Sequence, residues 1–225
     1  MATSRRLWMV TATSAEVDWR VAVAAIAAGA EVPVAVVIVG VVAPDPLVAH
    51  VAGLVCADRL SLEQARDLVV AVSRAYRLVL LAAPAGLLVP LGDDGWNLAD
   101  LTAGLGSPAL VVAGPGPDAL NHTTLAIGAL AGHGIAASVI TVGVATDPAG
   151  LPVTPIGRIP ADHPADFAGA ASWFDPALFV PPDPPPVLAG RTAVSGRKVV
   201  TTLLAGFAIF IAMVLLACGA AWWGG

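Results

Sequence analysis

Lysine is nearly absent from this chain of 225 residues: it occurs once, at Lys198. Any chemistry that needs a lysine ammonium in the body of the chain is thereby excluded. Glutamate is almost as rare, at Glu16, Glu31 and Glu63, and charged residues make up only 12% of the sequence. The net charge of -5 and the lack of a basic run outside the C-terminal tail exclude nucleic acid as a main partner. The two cysteines, Cys56 and Cys218, are far apart and form no CxxC. That excludes a disulfide framework and a structural zinc site. The four histidines (His50, His122, His133, His163) lack metal-ligand spacing, so no metal site is expected. What remains is apolar: 57% of residues are hydrophobic, with 23 glycines and 19 prolines. Such a chain has ample material for one core plus an appendage.

The longest uncharged run stretches from Val199 to Trp223. At about 1.5 Å per residue, a helix of this length reaches roughly 37 Å, enough to cross a hydrocarbon layer of about 30 Å. Arg191, Arg197 and Lys198 precede it, and Trp222 and Trp223 close it. Basic residues on the N-terminal side and an aromatic pair at the far end predict one transmembrane helix over 199–223, with the rest of the chain cytoplasmic. Residues 180–198 read as a linker: VPPDPPPV opens it as a polyproline II spacer, and a basic juxtamembrane end closes it. Arg5 and Arg6 are followed by only four apolar residues, so no signal peptide is expected. The lipid bilayer is the first expected partner.

Residues 1–179 alternate short apolar runs with helical stretches. Strands are expected over Leu7–Val10, Pro33–Val39, Leu78–Ala82, Ala109–Val112 and Ala137–Val142. Helices are expected over Val17–Gly29, Ser61–Ala75 and Asp118–His133. Ser61 with Gln64 three residues on makes a capping box. Continuous β-branched runs such as 33–39 mark strands buried on both faces. The pattern predicts a three-layer α/β domain with a mainly parallel sheet.

Short motifs then recur in a telling order. Leu120-Asn121-His122-Thr123-Thr124-Leu125 leads a helix ending at Gly134. Before it come Gly86-Leu87-Leu88-Val89-Pro90-Leu91, Asn97-Leu98-Ala99-Asp100-Leu101 and Ser107-Pro108-Ala109-Leu110-Val111-Val112. After it comes Ile156-Gly157-Arg158-Ile159-Pro160. In this order they resemble dethiobiotin synthetase, an ATP-dependent P-loop enzyme of biotin synthesis, over most of residues 6–160. The resemblance implies the P-loop NTPase fold and, in an active member, ATP and Mg²⁺ as cofactors.

The same resemblance exposes losses. Val10-Thr11-Ala12-Thr13-Ser14-Ala15-Glu16-Val17-Asp18-Trp19-Arg20 lies over the family's V-T-G-T-D-T-E-V-G-K-T. A phosphate loop needs glycines so that backbone N–H groups can wrap the phosphates, a lysine for the β- and γ-phosphates, and a hydroxyl for Mg²⁺. Here Ala12 and Asp18 replace glycines, Trp19 replaces the lysine and Arg20 the hydroxyl, and the indole of Trp19 is expected to fill part of the empty site. Ala82 stands for the family's Mg²⁺-binding glutamate, and Ala35 for its substrate-binding lysine. Asp45 is the nearest candidate for a further metal-binding aspartate. Arg20 at a helix start is a candidate anion contact. Asp93 and Asp94 form a carboxylate pair that reads as a solvated turn before Gly95. Asn121 and His122 read as an interface segment, and the resemblance makes a homodimer plausible; Thr123 and Thr124 read as local helix caps.

Together these readings predict a catalytically inactive, membrane-anchored relative of dethiobiotin synthetase. It would present a protein-binding surface to a membrane partner and need no cofactor. The alternatives are a working ATP-dependent ligase, or a nucleotide or anion sensor without turnover.

Overall fold

The computed structural model describes residues 6–41, 43, 46–92, 94–143 and 151–179. Seven strands form one sheet: β1 (Arg6–Ala12), β2 (Val34–Val39), β3 (Gly53–Ala57), β4 (Leu78–Ala82), β5 (Ala109–Ala113), β6 (Ala137–Val142) and β7 (Gly157–Ile159). Their order is β3-β2-β4-β1-β5-β6-β7, and every paired strand is parallel. Four helices accompany them: α1 (Trp19–Gly29), α2 (Leu62–Ala75), α3 (Leu98–Leu105) and α4 (Ala119–Gly132).

Strand alternation builds two cores, one on each face. In β4, Leu78 and Leu80 point to one side while Val79 and Leu81 point to the other. In β2, Val34, Val36 and Ile38 join the first side, and Ala35, Val37 and Val39 the second. On the first face α1 packs Ala22–Ile26, roofed in turn by the segment 167–179. On the second face α2, α3 and α4 supply Ala65, Val69, Leu98, Leu101 and Leu130. Each fully buried Leu or Val contributes about 1.5–3 kcal/mol by leaving water. The result is the expected three-layer α/β architecture.

Capping explains the helix boundaries. α2 starts after Ser61, whose hydroxyl accepts from Gln64 N while Gln64 Oε1 accepts from Ser61 N. α1 begins at Trp19 rather than Val17 because Asp18 is its N-cap. β2 begins at Val34 because Pro33 has no N–H to give a ladder. Three elements were not foreseen: β3, α3 and β7.

On the first face, Gly29 lets the roofing segment settle directly on α1. A Cβ there would lie 2.9 Å from Phe174 and 3.1 Å from the Ala171 nitrogen. Phe179 closes this segment, with its ring 5.2 Å from Trp8 and 5.5 Å from Phe174. The expected linker 180–198 and transmembrane helix 199–223 lie outside the described residues. Among the described residues, no helix is long and apolar enough to cross a membrane.

Candidate functional site

The carboxyl ends of β1, β4, β5 and β6 converge on one side of the sheet. Chain order reverses around β1, with β4 on one flank and β5 on the other. Open parallel sheets bind ligands at such a switch point, in the crevice beyond the strand ends. Two cavities of about 860 Å³ and about 470 Å³ lie there, sharing the β1–α1 loop, residues 13–18, as a wall. The larger runs between that loop, the segment after β4 and one side of α4. The smaller runs between that loop, the Gly114–Asp118 turn after β5, and Gly143, Pro160 and His163.

The β1–α1 loop has the place of a phosphate loop but not its geometry. An anion-cradling nest alternates right- and left-handed backbone so that successive N–H groups point at one spot. No residue from Thr13 to Asp18 has a positive φ. The loop instead folds on itself through Val17 N–H to Ser14 O, and ties to the sheet through Thr13 N–H to Val112 O. Val17 then presses on Gly114: a Cβ at 114 would lie 2.6 Å from Val17 Cγ2.

The start of α1 is occupied by the chain's own anion. Asp18 Oδ1 accepts a hydrogen bond from the Arg20 backbone N–H at 3.0 Å. The Arg20 side chain forks onto the same carboxylate, Nε to Oδ1 at 2.7 Å and Nη2 to Oδ2 at 3.1 Å. A helix N-terminus attracts an anion through its free N–H groups and its dipole. Here a carboxylate takes that position and binds the adjacent cation. Arg20, the sequence's candidate anion contact, is therefore engaged within the loop.

The other expected site residues fall in different places. Ala12 and Trp19 line the larger cavity. The Trp19 indole, expected to fill the empty site, also packs against the first-face core, so only part of it borders the cavity. Ala35 and Ala82 are fully buried in the sheet and line neither cavity. His122 lines both cavities, whereas Asn121 is exposed and lines neither. Thr123 and Thr124 do not cap α4. Their hydroxyls donate back to Ala119 O at 2.6 Å and Leu120 O at 2.8 Å, which satisfies them within the helix. Asp94 is exposed, while Asp93 and Asp45 lie outside the described residues.

Sequence reasoning missed His163, whose ring stacks on Phe167 at 4.9 Å at the edge of the smaller cavity. It also missed Trp96, whose Nε1–H donates to Leu60 O at 2.9 Å. Neither had a local motif to announce it. Burial pushes the Cys56 thiol up from its ordinary value. Among the described residues, no group of histidine, cysteine or carboxylate side chains is arranged to hold a metal ion. Among the described residues of the loop and the two cavities there is no left-handed nest and no lysine ammonium, so these residues do not fit a triphosphate in the manner of a phosphate loop.

Comparison with known proteins agrees with the fold. The MinD cell division protein of Aquifex aeolicus superposes with a TM-score of 0.51 at 13% identity, over 70% of this chain and 82% of that one. That likeness is of fold alone, and it is the P-loop NTPase fold. In sequence, the chain is similar to proteins named ATP-dependent dethiobiotin synthetase. It is 37% identical to the one from Rhodococcus jostii over 140 residues, which covers 54% of this chain and 58% of the relative. With the one from Mycolicibacterium vanbaalenii it shares 42% over 80 residues, 36% of this chain and 35% of the relative. The chain thus spans between about a third and three fifths of the length of these relatives. No protein-family model matches it.

Proposed function

We propose that this protein is a non-catalytic relative of the dethiobiotin synthetases that serves as an interaction subunit at the cytoplasmic face of a membrane. The observation that carries the reading is the Asp18–Arg20 pair at the start of α1. It sets a negative charge where a triphosphate would need donors, and it uses the nearest cation to do so. The single lysine of the chain, Lys198, belongs to the C-terminal tail and lies outside the described residues. The uncharged run 199–223 supports a membrane anchor, and the exposed start of α4 leaves room for a partner or a second copy.

A working ligase is the second reading, favoured by the 37% identity to a named synthetase. The two separate cleanly by turnover. The purified full chain with ATP, Mg²⁺, bicarbonate and the diamino acid precursor is expected to form no dethiobiotin above a protein-free blank. It is likewise expected to leave a dethiobiotin synthetase-deficient strain dependent on biotin. Product formation, or growth without biotin, overturns the non-catalytic reading.

A further inference from the structure

Among the described residues, five large hydrophobic side chains stand exposed, and three of them line one crevice. Leu88 is 52%, Val89 46% and Leu125 63% exposed, and all three border the larger cavity. Leu88 and Val89 follow β4, held in a turn by Val89 N–H to Gly86 O at 3.0 Å. Leu125 comes from the facing side of α4. That helix has 14 residues, of which Thr123 and Leu130 are buried and Ala126, Ile127 and Ala129 are partly buried against the second core, while Leu120 and Leu125 stand exposed. Single exposed leucines are ordinary; several converging on a concave, polar-rimmed surface mark a binding site.

Charge narrows the occupant. The acidic and basic side chains lining the larger cavity are Glu16, Asp18, Arg20 and His122; Asp118 and His163 line the smaller one across the shared β1–α1 loop. The Arg20 guanidinium lies against Asp18, which leaves the exposed Glu16 carboxylate on the wall of the crevice and the exposed Asp118 carboxylate across the loop. Openness narrows it further. A small-molecule site buries most of its ligand's surface. A wall whose central leucine is more than half exposed does not, but it suits a longer object laid along it. An amphipathic helix in a groove is the recurring solution for such a surface.

We infer that this crevice docks an apolar helical segment of another protein, with at least one lysine or arginine at its flank facing Glu16 and, across the β1–α1 loop, Asp118. The inference rests on the non-catalytic reading and names the partner's chemistry. The apolar face of the segment covers Leu88, Val89 and Leu125, and its cation answers the carboxylates of the rim. Complementary charge of this kind sets orientation and selects among partners.

The test places a benzoyl-phenylalanine photocrosslinker at Leu125, and separately at Leu88, in the full chain expressed in its native host. A control probe sits at exposed Arg74 on α2. The crosslinked peptides are sequenced by mass spectrometry. Both crevice probes are expected to capture the same segment of a different protein, apolar and with Lys or Arg within one helical turn of the attachment point, while Arg74 does not. The Glu16→Gln, Asp118→Asn double variant is expected to lower the yield at least threefold. Both residues are exposed, so folding is preserved, and circular dichroism checks it. Capture of a second copy of this chain, of an acidic segment or of lipid alone overturns the inference. So does an absence of crosslinks, or a yield indifferent to the double variant. Any of these failures leaves the non-catalytic reading to be judged by turnover alone.

Discussion

The Asp18→Gly, Trp19→Lys double variant is expected to bind ATP at least tenfold more tightly than the unmodified chain. Two obstacles fall at once. Removing the Asp18 carboxylate vacates the start of α1 and releases the Arg20 side chain from its fork. The new ammonium adds a charge-assisted donor, worth about 1.5–3 kcal/mol, or roughly ten- to a hundredfold in affinity. Glycine costs an N-cap position only a few tenths of a kcal/mol, so α1 survives the change. Trp19→Lys alone is expected to gain less, because the carboxylate remains. Fluorescence anisotropy with a labelled ATP analogue reads the difference. Equal binding by the double variant and the parent would mean that some other feature of the loop excludes nucleotide.

Phe179→Ala is expected to lower the unfolding free energy by about 3–5 kcal/mol, the usual cost of emptying a buried phenylalanine site. Phe179 is 1% exposed and sits among Trp8, Phe174 and the first-face core. Its loss leaves a cavity under the segment that roofs α1, and Phe167 of that segment stacks on His163 of the smaller cavity. The urea midpoint of the full chain, followed by tryptophan fluorescence, measures the effect. A change below about 1 kcal/mol would mean that the roofing segment is held elsewhere and that the domain effectively ends before it.

Much of the architecture was legible because buried parallel strands leave a plain trace. β4 and β6 fall on the expected bounds, and β2 differs by one proline. β2 and β4 are runs of residues wanted by both cores with no polar position, and β6 carries only Ser138 and Thr141 among its apolar residues. β3 was hidden because it is an edge strand containing a glycine and a cysteine, and only partly buried. α3 has a readable capping box, Asn97 with Asp100, but only eight residues, too few to show a helical period. β7 has three residues and gains its place only from β6 beside it.

The site divides in the same way. The absence of glycine and lysine from the β1–α1 loop is visible in the sequence; in the structure no residue from Thr13 to Asp18 has a positive φ. The role of Asp18 was only half visible. Its negative charge was plain, but its work as N-cap and as the acceptor for Arg20 depends on where α1 starts. The exposed apolar side chains of the crevice could not be read at all. Leu88, Val89 and Leu125 look like core residues in sequence, and only the layer arrangement leaves them uncovered.

Isothermal titration of ATP into the full chain, with and without Mg²⁺, bears most directly on whether this loop can hold a triphosphate. No saturable heat is expected up to about 1 mM nucleotide, which corresponds to binding weaker than roughly -4 kcal/mol. A Mg²⁺-dependent isotherm with a midpoint in the low micromolar range would contradict it, because carboxylate and indole would then be serving where backbone donors and an ammonium group are required.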